Sequence, residues 1–551
     1  KFNQLRYGRI VILTDADVDG SHIKGLVMNL IHSQWPSLIK RPNFITSLAT
    51  PIVKASKGSD VLSFYNLTDY DKWVESNESN KNWKIKYYKG LGTSTAIEAR
   101  EYFIDIENKL INYKWLVKKE EDQEDPDDLD EDPDDVNEDL EASNFILPYK
   151  ANDDEDAILL AFEKSRVDDR KVWLQNYDKN EVLKYENKVV RYSNFIHSDL
   201  IHFSNDDLSR SIPSLIDGFK PSQRKIMYGA MLRGLDKTEV KVAQLAGFVS
   251  DKAAYHHGEA SLTGAIINMA QNYMGSNNIN MLKPNGQYGS RLKNGADSAS
   301  PRYIWTKLED LSPIIFNTSD SHVLKTQFED GEPIEPEYYA PIIPMILVNG
   351  AQGIGTGFST KIPPYDPLEI ISNLKKKLIS NLAFDEMDPY WNGFEGIIAK
   401  IDDFNYEIYG TYQIKGNKLI ITELPVGEST YGYKEFLEGL LCPEEPKKVV
   451  AGKGKVVKKV KPKEEIPFVG YTENNTDTKV YFELEFESGY LEKAKDIDKL
   501  FHLYKKYSIT NMHLFDASGT IKKYNSPVEI MDEYYVVRLK LYEKRKEHEL
   551  D

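Results

Sequence analysis

Tyr303 follows Arg302 directly in the stretch Asp297-Ser-Ala-Ser-Pro-Arg-Tyr303, and far upstream Asp15, Asp17 and Asp19 alternate along the chain. A phenol is a competent nucleophile for phosphorus once a neighbouring cation lowers the cost of ionising it. Arginine supplies that cation and also stabilises charge on the phosphate under attack. His257 is placed to hydrogen-bond a non-bridging oxygen, although a satisfied structural histidine is the ordinary state of such a residue. Spaced carboxylates are the hard oxygen donors that suit Mg²⁺. The chemistry these two sets imply is DNA strand cleavage. With 34 tyrosines in the chain, Tyr303 draws its weight from these neighbours and not from its type.

The elements that must hold the acids are legible beside them. Arg9 to Thr14 is a short apolar, β-branched run, expected as a strand buried on both faces of a parallel sheet. The aspartates then lie at its carboxyl end, where open α/β sheets place ligands. Gly20-Ser21 leads into a helix expected over Ile23 to Ile31. D-x-D-x-D-G also opens an EF-hand calcium loop, but position twelve is Leu26 instead of a bidentate glutamate, and a strand precedes it where a helix is needed. Aspartates that merely end a strand and cap a helix remain the bland alternative.

Lys86-Tyr-Tyr-Lys-Gly-Leu-Gly-Thr-Ser-Thr95, with Lys89 at its centre, has the lysines, glycines and hydroxyls to approach phosphate, and it lacks the Walker A pattern. From Arg210 the chain turns basic. Lys220, Arg224 and Lys225, followed by His256 and His257, form a candidate phosphate-binding surface on helical runs and glycine turns that suit a winged helix. Gly353-Ile-Gly-Thr-Gly357 fails the G-x-G-x-x-G dinucleotide pattern because Phe358 takes the last place, and by itself suggests a tight loop.

The 551 residues suffice for several domains. A single cysteine, Cys442, excludes a disulfide framework and fits a reducing compartment. Without an apolar run near the ~20 residues that span a bilayer, and without a signal-peptide pattern, a soluble intracellular protein with no membrane partner is expected. The net charge of −17 argues against a nucleic-acid partner only until its distribution is read. Fifteen acidic residues and no basic one lie between Glu120 and Glu141, so nearly all the excess sits in one tract, expected to be a disordered, solvated insertion. Eight lysines between Lys447 and Lys463 make a second biased stretch, expected as a flexible loop able to brush DNA.

Six segments, Thr14-Asp-Ala-Asp-Val-Asp-Gly-Ser-His-Ile23, Tyr87 to Thr95, Asp168-Asp-Arg-Lys171, Tyr255-His-His-Gly-Glu259, Ser298 to Tyr303 and Ile346 to Gly357, stand in the order seen in type IIA DNA topoisomerases. The chain thus resembles the DNA-cleavage core of the eukaryotic, single-polypeptide kind. The resemblance implies that Asp15, Asp17 and Asp19 are the TOPRIM acids, with Asp15 and Asp17 the direct Mg²⁺ ligands and two ions per cleavage site. It implies that Tyr303 forms a 5′-phosphotyrosyl bond, that Arg302 is its transition-state partner, and that Ile354 wedges between base pairs. It further implies a homodimer on double-stranded DNA in which one protomer's tyrosine works with its partner's acids.

The same resemblance places a glutamate of the metal site in a Glu-Gly-Asp-Ser-Ala segment upstream of Lys1, and an ATP-hydrolysing domain outside this chain. The expected architecture is mixed α/β. It comprises a partial TOPRIM domain (1–118), an acidic insertion (119–155), and a linker with winged helix carrying Tyr303 (156–310). An α/β tower with the lysine-rich loop 447–463 (311–485) and the root of a coiled coil (486–551) follow. A capping box, Ser526 with Glu529, opens that last helix, and the dimer gate beyond it is expected to lie outside the chain. A nuclear enzyme is expected, with a large DNA virus as the other source. A DNA-binding fragment that does not cleave, and a TOPRIM-type metallonuclease leaving free 5′-phosphates, are the competing functions.

Overall fold

The computed structural model describes residues 5–65, 67–76, 82–88, 94–104, 106–116, 149–183, 188–329, 331–441 and 466–551. The acidic tract from Glu120 to Glu141, the lysine-rich stretch and Lys89 lie outside the described residues. The chain divides into two compact units, residues 1–208 with 355–358, and residues 209–354 with 359–551.

The first unit holds β1 (Ile10–Ile12), β2 (Ile45–Leu48), β3 (Val53–Lys57), β4 (Asp60–Phe64), β5 (Lys84–Tyr87), β6 (Leu110–Lys114) and β7 (Val189–Arg191). Its main sheet has the order β1-β2-β6-β7, with β3, β4 and β5 forming an antiparallel sheet of their own. The β1–β2 and β6–β7 pairs are parallel but β2–β6 is antiparallel, so the sheet is mixed where a parallel one was expected. Strand β1 is also not buried on both faces. Ile12 is buried while Val11 and Leu13 are exposed, because alternate side chains point to opposite faces and the described residues cover one.

Helix Val18–Gln34 starts five residues before the expected Ile23 because Asp17 caps it, its carboxylate accepting from Gly20 N at 2.8 Å. The helix crosses closely over the segment 192–211, which begins helical (Tyr192–Phe195), passes through a π-turn (Ile196–Leu200) and continues as Ile201–Ser211. A side chain at Gly25 would bring its Cβ to 3.1 Å from Phe162 and 3.2 Å from Leu200, so glycine sets the closeness of that crossing.

In the second unit, helices Pro221–Leu232, Val242–Lys252 and Glu259–Ala270 pack on one another. The short pair β8 (Val240–Lys241) and β9 (Trp305–Thr306) adjoins them, and the hairpin of β10 (Thr326–Glu329) and β11 (Glu332–Pro336) packs on the first helix. Next come the hairpin of β12 (Ala351–Ile354) and β13 (Ser359–Ile362), then β14 (Ile397–Lys400) and β15 (Asn405–Tyr409). Strands β16 (Thr411–Lys415), β17 (Lys418–Glu423), β18 (Phe468–Glu473) and β19 (Phe482–Phe486) form a sheet in the order β16-β17-β19-β18, with its own apolar core around Leu419, Phe482 and Phe501.

The final helix, Pro527–Leu550, is capped by Ser526, whose hydroxyl accepts from Glu529 N. Glu529 reaches back to Asn525 N, one residue earlier than a reciprocal capping box requires. Tyr534 donates to Pro341 O at 2.5 Å, and buried Arg538 pairs with buried Asp320 at 2.8 Å. Among the described residues no helix is long and apolar enough to cross a membrane.

Candidate active site

Asp15 and Asp17 are exposed and Asp19 is half-buried in the first helical turn. The tightness of their loop rests on Gly20, since a Cβ there would fall 2.0 Å from the carbonyl oxygen of Asp15. Asp15 and Asp17 line a cavity of about 430 Å³ with Ser21, Lys24, Asp199 and His202. Behind them the Asp199 carboxylate accepts from Ser21 Oγ at 2.8 Å and from Lys24 Nζ at 3.1 Å. Burial opposes the charge on Lys24, but Asp199 more than compensates and raises its pKa.

No three His, Cys, Asp or Glu side chains among the described residues gather into a metal cage. Two exposed aspartates, one already spending an oxygen on the helix cap, nevertheless fit Mg²⁺. That ion is commonly held by one or two carboxylates and completes its octahedron with water or substrate phosphate. The bland reading of the motif is therefore correct for Asp17 and compatible with the metal one.

Lys86, Tyr88 and Thr95, at the described ends of the Lys86 to Thr95 motif, converge on an acid that sequence reading missed. Lys86 Nζ lies 2.8 Å from both Glu98 oxygens, Tyr88 donates to Glu98 at 2.5 Å, and Thr95 completes a capping box with it. The Lys86 bond, followed by those from Tyr88 and the Thr95 backbone, holds the Glu98 carboxyl down at about 2. These groups are paired within the protein, not presented to phosphate.

In the second unit Tyr303 is 78% exposed, with Arg302 exposed beside it. The backbone beneath is fixed. Tyr303 N donates to Ser300 O, Ala243 N to Pro301 O and Val242 N to Ile304 O, at 2.9, 3.1 and 3.1 Å. Gly286, with φ of +115°, admits the buried Ile304 side chain, which a Cβ at that position would meet at 2.9 Å. His256 and His257 are both exposed, so His257 is not the buried histidine that a structural role would favour. His257 meets the Tyr255 ring edge-on, and His256 Nε2 lies 2.5 Å from Glu329 on the β10–β11 hairpin.

Two of the three basic residues expected to hold phosphates do not face outward. Arg224 is buried, its guanidinium donating to both oxygens of Asp217 at 2.7 and 3.1 Å and to Phe219 O. Asp217 in turn accepts from Phe219 N and Tyr339 N, which makes it a hub that needs this arginine as counter-charge. Lys225 donates to Ala253 O and pairs with Glu335 at 2.8 Å. A helix whose basic side chains answer buried acids reads in sequence like one that answers DNA.

Lys220 is half-buried and donates to Gln352 O at 2.9 Å, which ties it to the strand ending in Ile354. Ile354 is 75% exposed at the tip of β12, paired across the hairpin with Ser359. A Cβ at Gly353 would fall 2.0 Å from the carbonyl oxygen of Ser211, so the strand lies flat against that backbone while Ile354 projects free.

Residues 210–551 match the family model of the DNA gyrase/topoisomerase IV A-type chain, and residues 48–126 and 128–208 match the C-terminal associated domain of TOPRIM. The chain is 43% identical to DNA topoisomerase 2 of Acanthamoeba polyphaga mimivirus over 99% of its length and 48% of the relative's. It is 42% identical to DNA topoisomerase 2 top-2 of Caenorhabditis elegans over 99% of its length and 34% of that protein's. It therefore spans between a third and a half of these relatives. The crystal structure of the Plasmodium falciparum topoisomerase II DNA-binding, cleavage and re-ligation domain superposes with a TM-score of 0.76 at 40% identity, covering 100% of this chain and 68% of that one. The order of motifs, the family models and the structural match agree: the chain belongs to the type II DNA topoisomerase family.

Proposed function

We propose that this chain is the cleavage and re-ligation core of a topoisomerase that breaks both strands of a DNA duplex through Tyr303. The observation that carries the reading is a fully presented phenol on a hydrogen-bonded turn beside an exposed arginine, within a chain of this family. Tyr303 gives up its phenolic proton and its Oη attacks phosphorus, the P–O3′ bond breaks, the 3′ oxygen leaves as a hydroxyl after gaining a proton, and the 5′ phosphate remains esterified to the tyrosine. The reverse attack by the 3′-hydroxyl re-forms the strand, with no net consumption of bond energy. Arg302 steadies the charge on the phosphate and His257 hydrogen-bonds a non-bridging oxygen.

Asp15 and Asp17, with Asp19 behind them, would hold Mg²⁺, which when bound neutralises charge on phosphate oxygens. Lys220, His256 and Lys89 are assigned to the DNA backbone, and Ile354 to the wedge that kinks the duplex, a known use of an exposed apolar side chain. The helices 221–232, 242–252 and 259–270 with β8 and β9 are read as the winged helix. The β16-β17-β19-β18 sheet is read as the tower, and helix Pro527–Leu550 as the root of a coiled coil. The working unit is a homodimer in which acids and tyrosine come from different protomers. In the whole protein the cycle is driven by ATP and changes DNA topology. A nuclear location follows for a eukaryotic source, and a host-cell location for a large DNA virus.

The test is to incubate the protein with supercoiled plasmid and Mg²⁺, quench with denaturant and assay protein-linked DNA ends. Adduct at Tyr303 that disappears in Tyr303→Phe supports the reading. Free 5′-phosphates would mark a metallonuclease, and DNA binding without adduct would mark a module that does not cleave.

A further inference from the structure

The segment 192–211 does more than pack against the helix Val18–Gln34. Asp199, inside its π-turn, bonds Ser21 and Lys24 on the first two turns of the helix that Asp17 caps. Eight residues on, Asp207 accepts from both the backbone N and Oγ1 of Thr356, at 2.8 and 2.9 Å. Thr356 lies in the turn 355–358, which directly follows Ile354 in the chain and belongs to the first unit. That turn is closed by Gly355 N donating to Phe358 O at 2.9 Å, Phe358 is buried, and Gly357, with φ of +75°, leaves 3.3 Å between its absent Cβ and Arg170.

Between the two carboxylates, the His22 ring stacks on Phe203 at 3.9 Å. Burial lowers the His22 pKa, against the pull of Asp207 and Asp19. Irregular π-turns are uncommon and concentrate where function dictates geometry.

We propose that the segment 192–211 is a positioning strut that fixes the Asp15–Asp17 loop through Asp199 and the turn after Ile354 through Asp207, so that both are set in one register. The proposal rests on the reading of Asp15 and Asp17 as metal ligands and of Ile354 as the wedge. Asp199, Asp207 and Thr356 are positioning residues that act through the loops they hold.

The experiment compares Asp199→Asn, Thr356→Val, Thr356→Ser and the double variant Asp199→Asn/Thr356→Val. It reads Mn²⁺ affinity of the DNA-free protein by electron paramagnetic resonance, bending of a duplex labelled at both ends by energy transfer, and adduct yield. Asp199→Asn should weaken Mn²⁺ about tenfold, the usual scale for losing a group that orients a metal ligand. Thr356→Val should reduce bending at unchanged thermal midpoint, and Thr356→Ser, which keeps the hydroxyl, should restore it. In adduct yield the double variant should lose no more than the worse single one, because either change already breaks the shared register. Losses that multiply would overturn the strut, as would equal bending by Thr356→Val and Thr356→Ser. The controls Asp15→Asn and Ile354→Ala separate the layers. Unchanged Mn²⁺ binding in the first or unchanged bending in the second would remove the underlying metal or wedge reading, and the strut with it.

Discussion

The acid loop of the first unit and the tyrosine turn of the second are built on opposite plans. The acid loop is held through side chains. Asp17 is tied to the helix start, Gly20 leaves no room for a Cβ, and Asp199 grips the helix from behind. The tyrosine turn is held through its backbone, and the phenol at its crest has little but solvent around it. The difference suits the proposed roles: a metal ligand works only at fixed geometry, whereas a nucleophile that must reach a phosphate and later release it needs a fixed base and a mobile arm.

The difference can be broken at either end. Tyr303→Phe should abolish adduct formation while moving stability by no more than about 0.5 kcal/mol, since an exposed hydroxyl is lost; denaturant melts beside the plasmid assay check both. Asp15→Asn should raise the Mg²⁺ needed for half-maximal adduct by about 100-fold or more, since losing a direct ligand costs at least what losing a group that supports one does. A metal titration of cleavage measures it. Arg224→Ala should destabilise the second unit by about 3–5 kcal/mol, because it strands the Asp217 charge in the core. If Arg224 were instead a phosphate contact, the variant would fold normally and flatten the salt dependence of DNA binding.

The smallest effect concerns pH. The Glu98 carboxyl is held down to about 2, below its ordinary value near 4.5. Its contribution to stability is therefore complete above about pH 4.5 and fades as pH falls from there toward 2. Being largely solvent-screened, it should amount to a slight slope in thermal midpoint, removed in Glu98→Gln.

Much of the local structure at the candidate site was legible because its signals are local in sequence. Asp15, Asp17 and Gly20 announce a turn at a strand end, and Ser526 with Glu529 announces a helix start. What escaped was long-range pairing. Asp199 and Asp207 sit in stretches with no motif, and their partners are 178 and 149 residues away, whereas Glu98 had a local signal in its capping box with Thr95 that went unread. The same blindness made Arg224 look like a DNA contact, since its counter-charge Asp217 is close in sequence but its burial is a property of the packed unit. The mixed sheet was missed for a similar reason: an apolar run shows that a strand exists, not the direction of its neighbour.

The flat seat of β12 has a corollary for tuning the molecule. Gly353 cannot accept any side chain, whereas Ile354 projects into open space. In the wedge role proposed for it, Ile354 is thus an interchangeable tip on an immovable mount. Leucine, methionine or phenylalanine at position 354 should fold equally well, so the choice of tip is left free to set which base steps the enzyme prefers to open.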